Sequence, residues 1–566
     1  MPAIFYNIGF NIFRYLVLEN FRVLFVTKQQ DKPSRSFAGI AGIVAIATLI
    51  SKVFGLVRQL VMAAAFGLGP AFAGFQYAYT IPGFLLILLG GINGPFYSAV
   101  VSVLAKRDKE EAATLVETIM TLIGGILLVV SIVLFIGAPL FIDVLAPGLR
   151  EGGKELVREI AIRQLQVMAP MAVLAGLIGI GFGVLNAANV FWLPSISPLF
   201  SSSAVVIAVG ILYLQVGNKI SQTEYAMLGG TFLAGGTLAG ALLQWFAQLA
   251  AQTKAGMGRI RLRFDFNQPG VKEVLKIMIP ATFSSGMLQI NLYTDLFFTS
   301  FISTRVAPAL FNAGLLVQMP LGIISNVILV PLLPMFARLR DPQDWGDLKL
   351  RIRQGLLLCA FTMLPLGAIV VALANPIVKI VYQRGAFNTE DSALVASLLI
   401  VNGIGMFVYL GRDVLVRVFY ALGDGDTPFR ISMVNIFLNA LLDFLFIRVF
   451  NFGAPGLVLA TVGVNCSSIL MLLFLLNRKL NGLPVLQWSL PILGLAAGSV
   501  VAGAASYATS QGMEQFLDSG NLLIKLLQLS ISGFVGLAIF GVIASMMNLP
   551  EVNLFVSRLR QKIFKR

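Results

Sequence analysis

The chemistry this sequence has to offer lies in the ionisable side chains that interrupt its long apolar runs. SKVFGLVRQ (51–59) sets Lys52 and Arg58, with Ser51 beside them, in one such run. QINLYTDLFF (289–298) holds Asp295, GRDVLVRVFYALGDGDTP (411–428) holds Arg412, Asp413 and Arg417, and a further run contains Asp443. A charged side chain at the centre of a bilayer costs roughly 3 kcal/mol on insertion scales, so such residues usually face a cavity or a partner. Lys52 and Arg58 sit inside a continuous apolar run and are predicted to look into a shared cavity. Arginine grips phosphate with a planar fork and lysine acts as a point charge, so cations from both halves of a bundle, Lys52, Arg58 and Arg417, would make a diphosphate site. Asp295, Ser51, Arg412 and Asp413 would add polar cavity groups and a place for an ion to couple. For Arg412, Asp413 and Asp443, snorkelling near span ends or pairing among neighbours accounts for the placement equally well.

Other chemistry is excluded by composition. Histidine is absent, and the two cysteines, Cys359 and Cys466, lie in apolar runs where cysteine is a small packing residue. No Cys/His zinc site, disulfide framework or histidine relay can be built. No G-x-x-x-x-G-K-[ST] loop is present, so ATP is not hydrolysed by that route. No cofactor is expected; work across a membrane would draw on a monovalent cation gradient, the membrane potential or the substrate gradient. The potential helps an anion leave a negative interior by about 2.3 kcal/mol per charge per 100 mV.

The elements that must position these residues are transmembrane helices. The 566 residues are 57% hydrophobic and 12% charged, against roughly 25% charged in a soluble protein. A bilayer core needs roughly 20 apolar helical residues per span. Such runs fall near 38–66, 73–105, 116–142, 161–187, 193–214, 226–252, 271–301, 306–337, 352–382, 391–421, 430–447, 454–477, 488–508 and 521–547, with kinks expected at Pro82, Pro95, Pro320 and Pro331. The net charge of +15 comes from short loops: Lys106, Arg107 and Lys109; Lys254, Arg259, Arg261 and Arg263; Arg338, Arg340, Lys349 and Arg351; Arg478 and Lys479; and the tail from Arg558 to Arg566. The alternate loops are poor in basic residues. The positive-inside rule puts the basic set and both termini in the cytoplasm, and an even number of spans satisfies it. The charge thus reports topology, not nucleic-acid binding. Residues 1–36 read as an interfacial cytoplasmic segment, with a misplaced start as the alternative, and 551–566 as a basic tail.

Features also recur about 237 residues apart. Phe182-Gly183-Val184-Leu185 precedes a turn and Pro194, and Phe419-Tyr420-Ala421-Leu422 precedes a turn and Pro428; Pro82 and Pro320 open corresponding spans. The fold expected is all-α and integral to the membrane. It has two pseudo-symmetric six-helix lobes, 37–255 and 256–482, in parallel repeat, plus two C-terminal helices in 483–550. Such halves commonly enclose a midplane site. Gly236 and Gly240 have the spacing of close helix contacts in lipid.

Several segments together resemble the MurJ (MviN) family of lipid II flippases, within the multidrug/oligosaccharidyl-lipid/polysaccharide exporter superfamily. They are SKVFGLVRQ (51–59), LAPG (145–148), FGVLNAANVFWLPSISPL (182–199), VQMPLGIISNVILVPLLPMFARL (317–339), YQRGAF (382–387), RVFYALGDGDTP (417–428) and APGLVLAT (454–461). The resemblance implies a V-shaped pair of lobes around a cationic cavity, and a groove for the polyprenyl tail at the last two spans. It implies an undecaprenyl-diphosphate-linked peptidoglycan precursor moved outward across the bacterial inner membrane by alternating access. It implies roles for Lys52, Arg58, Asp295 and Arg417 by matching position. Partners would be that glycolipid, membrane lipids and cell-wall synthesis or division proteins. Departures from the family pattern are Ala73, Leu86, Ile87 and Leu315 at usually charged or polar positions, and GGINGPF (90–96) without its glutamate. They leave open a flippase for another polyprenyl-linked polysaccharide precursor, or a non-transporting scaffold.

Overall fold

The computed structural model describes residues 37–547 except 92–93, 288–289 and 517–520. The expected interfacial segment and basic tail lie outside the described residues. Among these residues all regular structure is helical: α1 (Phe37–Phe66), α2 (Pro70–Gly90), α3 (Pro95–Leu104), α4 (Lys109–Ile136), α5 (Ala138–Leu145), α6 (Glu155–Met168), α7 (Met171–Ala187), α8 (Trp192–Ile196), α9 (Pro198–Val216), α10 (Ala226–Lys254), α11 (Pro269–Met287), α12 (Ile290–Ile302), α13 (Val306–Ala337), α14 (Trp345–Ala372), α15 (Ala374–Tyr382), α16 (Thr389–Ala421), α17 (Asp426–Phe444), α18 (Gly453–Lys479), α19 (Val485–Phe516) and α20 (Leu522–Met546).

Among the described residues, twelve stretches are long and apolar enough to cross a membrane, and α6–α7, bent by 45°, makes a thirteenth if the pair is one span. The remaining predicted span, 271–301, corresponds to α11 and α12. Lys272, Glu273 and Lys276 interrupt the apolar character of α11, and α12 has only 13 residues, short of the roughly 20 that a bilayer requires. Pro82, Pro320 and Pro331 lie within helices as expected. Pro95 does not kink a helix; it opens α3 at the first turn, where a missing N–H leaves no intrahelical bond unmade.

Residues 37–49, the opening turns of α1, group separately; the chain from Ile50 onward forms one unit. Within that unit one apolar core gathers Phe72, Tyr77, Ile142, Leu165, Phe182 and Leu212 from the first half, with a neighbouring core around Ile119 and Val274. Another gathers Phe336, Ile352, Tyr382, Val414 and Phe419 from the second half. The last turns of α1 feed both, Met62 and Phe66 toward the first half and Ala63 toward the second. The seventh span is likewise shared: α11 packs on α3, whereas α12 packs on α17 and α18. α19 lies against α14, with α20 alongside it. A Cβ on Gly240 would stand 2.5 Å from the Ser201 Cα, and one on Gly236 2.7 Å from the Ala208 Cβ, so α9 and α10 approach backbone to backbone there.

The internal repeat is written in the backbone. α7 ends with Ala188 N–H donating to Val184 O, Asn189 N–H to Asn186 O and Val190 N–H to Leu185 O; α16 ends with Leu422 to Val418, Gly423 to Tyr420 and Asp424 to Phe419. Asn189 and Gly423 both take positive φ, 60° and 75°. These are matching αL helix caps. They pair Asn189 with Gly423 and Pro194 with Pro428, a register of 234 residues that is three shorter than the sequence similarity of the preceding residues suggests.

Candidate functional site

α1 carries the first candidate cations. Gln59, on this helix, is buried at 1% exposure and donates to Asn312 Oδ1 of α13 at 2.5 Å; Tyr382 donates to the Asn312 carbonyl at 3.1 Å. This fixes how α1 is rotated. At about 100° per residue, Lys52 falls two turns before Gln59 on the same stripe, on the side that faces α13 further along. Lys52 is exposed. Arg58 lies about 120° around the helix, on a stripe with Ser51; both are half-buried. Arg58 Nε is shielded and has no hydrogen-bond partner. The two cations stand on different stripes of α1. Among the described residues neither is bound in an ion pair, which leaves both charges available.

α16 carries the second set. Arg412 donates to Asn465 Oδ1 of α18 at 3.3 Å, so it is tied within the second half. Asp413 and Arg417 stand one turn apart on one stripe and are half-buried, with no ion pair between them or to another described residue.

A third cluster gathers residues from two helices. Asn439 Nδ2 donates to Asp295 Oδ1 at 2.9 Å and to Asp443 Oδ2 at 3.0 Å, joining α12 to α17. The two carboxyl groups share the Asn439 amide as their donor, and Asp443 Oδ1 is buried without a partner. Sequence reasoning singles out Asp295 and notes Asp443 but misses Asn439. The signal is present: Asn435, Asn439 and Asp443 recur every four residues along α17, one face of a helix, and are 4%, 2% and 0% exposed. Beside this cluster a cavity of 760 Å³ is lined by apolar side chains including Phe84, Leu134, Val144, Phe297 and Ala440.

The two halves are joined at the end where α1 stops and α16 begins. Ala386 N–H donates to Ala64 O at 2.8 Å and Leu68 N–H to Asp391 Oδ2 at 3.3 Å. Asp391 also closes the capping box of α16 with Asn388 and accepts from Arg305 Nε at 3.2 Å, while Arg305 Nη1 reaches Glu390 at 3.0 Å. On the related side, Gly148 N–H donates to Ser300 Oγ at 3.0 Å and Lys154 Nζ to Ser300 O at 2.8 Å. Asp143, flanked by Arg158 and Arg150, braces that loop; the Arg158 guanidinium holds its carboxyl well below the usual carboxylate range. At the opposite, basic-loop end, Arg107 reaches Glu273 at 3.2 Å and Arg263 reaches Glu117 at 2.7 Å, tying the opening of the second half to the first, and Lys479 reaches Asp424 at 2.6 Å within the second half. Burial pushes the Asp424 carboxyl up, but hydrogen bonds from Lys479 and Thr427 outweigh that and leave it lowered.

Two of the family departures have a visible environment. Ala73 is fully buried, and a Cβ on adjacent Gly74 would already press on Ile160 and Gln164, so a longer acidic side chain has no room. Ile87 is 62% exposed on an apolar flank.

The family model for "Lipid II flippase MurJ" matches residues 62–527, beginning after Lys52 and Arg58. A "Probable lipid II flippase MurJ" from Synechocystis sp. is 56% identical over 535 residues, covering 94% of this chain and 99% of that protein. The "Lipid II flippase MurJ" of Burkholderia cenocepacia is 28% identical over 440 residues, 76% of this chain and 82% of its own. Among solved structures, a lipid II flippase MurJ in an inward closed conformation aligns with a TM-score of 0.70 at 21% identity, covering 89% of this chain and 98% of that one. An inward-facing multidrug resistance MATE family transporter of the MOP superfamily aligns at 0.58 and 13% identity, covering 78% and 98%; these two likenesses speak to fold alone. By sequence, this multi-pass membrane chain belongs to the lipid II flippase MurJ family.

Proposed function

We propose that this chain is a lipid II flippase of the bacterial cytoplasmic membrane, a transporter and not a catalyst. It carries the polyprenyl-diphosphate-linked peptidoglycan precursor from the inner to the outer leaflet for cell-wall synthesis. The observation that carries the reading is 56% identity over nearly the whole of both chains to a protein of that name. With the basic loops cytoplasmic, both termini are inside. The end at which Ala64, Leu68, Gly148, Ser300, Gly385 and Asp391 meet is then the outer end, shut, and the conformation is inward-facing.

In this arrangement Lys52 and Arg58 offer positive charge, unpaired among the described residues, on a helix whose last turns are tied to its neighbours. Lys52, on the α13 side, meets the diphosphate first, and Arg58, deeper and less exposed, takes it over. Arg417 is the counterpart from the second half. The Asp295–Asn439–Asp443 cluster is the coupling element: two carboxylates gathered on one amide in low dielectric favour a proton or a monovalent cation beside them, and its arrival or loss changes how α12 sits against α17.

Lipid II delivery is tested by complementation of a flippase-depleted cell. The unmodified chain restores growth and outward lipid II movement, and Lys52→Ala and Arg58→Ala, expressed at normal levels, do not. Full rescue by both variants overturns the cation assignment; failure of the unmodified chain, correctly inserted, overturns the substrate.

A further inference from the structure

The connection between α10 and α11 is not a slack loop. Met257 is buried in the core around Ile119, and from Gly258 the irregular backbone follows α4 as far as a turn in which Phe266 N–H donates to Phe264 O. Arg259 N–H donates to Glu117 Oε1 at 3.0 Å, Arg263 N–H to Thr121 Oγ1 at 3.1 Å, and Arg263 Nε to Glu117 Oε2 at 2.7 Å. Glu117 thereby neutralises Arg263. Arg259 and Arg261 remain exposed and unpaired among the described residues.

Every second residue along it is apolar: Ile260, Leu262, Phe264 and Phe266. The first three are 64%, 73% and 70% exposed. Water would be a poor neighbour for such a row. The depth of the segment supplies another. α4 ends at Gly137, and the twenty residues before that point cover about 30 Å, the thickness of a hydrocarbon core. Glu117 and Thr121, which hold the segment, therefore stand at the hydrocarbon boundary on the basic-loop side.

We propose that residues 259–264 form a fixed amphipathic segment that docks on the inner-leaflet surface, with Ile260, Leu262 and Phe264 set among acyl chains and Arg259 and Arg261 on the phosphates of anionic phospholipids. The occupant is lipid and not a soluble protein because the row is apolar at hydrocarbon depth while the charges beside it, Arg259, Arg261 and Lys254 against the single acid Asp265, are mainly positive. The segment would gather anionic lipid beside the basic ends of the spans. This inference needs the chain to span the membrane with its basic loops inside. It does not need the chain to move lipid II.

The test uses the whole protein with Cys466→Ser, carrying a fluorescent nitrobenzoxadiazole label at Leu262→Cys, a site exposed enough that folding is not at stake. It is reconstituted in nanodiscs of phosphatidylcholine with or without phosphatidylglycerol. Nitroxide-bearing acyl chains should quench the label and aqueous iodide should not. Phosphatidylglycerol retained through detergent exchange should fall by about fivefold for each of Arg259→Gln and Arg261→Gln. Free quenching by iodide with no response to the nitroxide overturns docking. Lipid quenching with phosphatidylglycerol retention unchanged in the double variant overturns the anionic preference. Neither readout depends on transport, so either can fail while the flippase reading stands.

Discussion

Gly148→Ala should open the closed end of this protein. The Gly148 N–H donates to Ser300 Oγ, and a Cβ added there would stand 2.5 Å from the Ser300 carbonyl carbon and oxygen and 2.7 Å from Phe301 N. Those are backbone atoms at the end of α12 and cannot swing aside. Restoring ordinary contact requires the loop and α12 to part by about 1 Å. Overpacking of this kind costs about 1–3 kcal/mol, and loss of the hydrogen bond adds about 1 kcal/mol. Gly148 has no positive φ, so alanine suits the loop itself, and the whole penalty falls on the state in which this end is shut. A bias of about 3 kcal/mol is a change of roughly 150-fold in the equilibrium, enough to make a 1% outward-open population the majority. The assay is pulsed electron–electron spin resonance between nitroxides at Glu151→Cys and Thr389→Cys in a Cys466→Ser background. The parent should give one short distance, and Gly148→Ala should add a longer one. Gly346→Ala, where a Cβ meets nothing within 4 Å, should leave the trace unchanged. An unaltered distance distribution in a folded Gly148→Ala protein would refute the view that this contact gates the outer end.

Asp143→Asn should lower thermal stability by about 1–2 kcal/mol, discounted because Arg150 and Arg158 are partly solvated. Because folding depresses the Asp143 pKa, its contribution is full above the ordinary carboxylate range and is lost as pH falls below it; melting temperatures of parent and variant should converge only in strong acid. Asp391→Ala removes the N3 half of the α16 capping box and the acceptor for Leu68 and Arg305, and should cost about 2 kcal/mol and lengthen the same spin-label distance, whereas Asp391→Asn should keep most of these bonds; equal melting temperatures for all three would contradict this. Asp443→Asn should fold normally yet abolish any dependence of lipid II movement on sodium or on a proton gradient in vesicles, and a preserved ion dependence would remove the carboxylate pair from the coupling role. Arg58→Lys should support partial growth in the complementation assay, since a point charge replaces the planar fork; rescue equal to the parent would mean that only charge matters there.

The spans are legible because an apolar run of bilayer length is costly to place anywhere but in lipid, and nearly every predicted run coincides with a helix or helix pair. What escapes is what depends on rotation about a helix axis. Lys52 and Arg58 read as one pair in the linear sequence, yet six residues at about 100° each turn them onto different stripes, and only the buried Gln59–Asn312 bond shows which stripe faces α13. Asn439 escapes for a different reason. An uncharged amide in an apolar run carries no obvious cost, and its weight appears only when α12 brings Asp295 to it. The seventh span reads as one helix because its average composition is apolar, but its basic first turns and its two packing partners belong to different halves.

The same two-half logic accounts for why the closed end relies on glycine twice. Gly148 follows the short helix α5 in the first half, and Gly385 follows the short helix α15 in the second. Gly148 abuts Ser300, at the end of the seventh span; Gly385 abuts Ala64, at the end of the first. Each half therefore presses a glycine onto the leading span of the other. A side chain at either position would hold the halves apart, and no compensating change within one half could relieve it, because the opposing atoms are backbone. Gly385 also has φ of 58°, which costs an L residue roughly 1–2 kcal/mol wherever the loop goes. The two contacts are thus related in position but not in energy. Alanine at 148 shifts the balance between states, whereas alanine at 385 does so and also strains the loop in both, so Gly385→Ala should lower the melting temperature more than Gly148→Ala for a similar gain in the long spin-label distance. Identical melting temperatures would mean that the 383–387 turn relaxes when the halves separate.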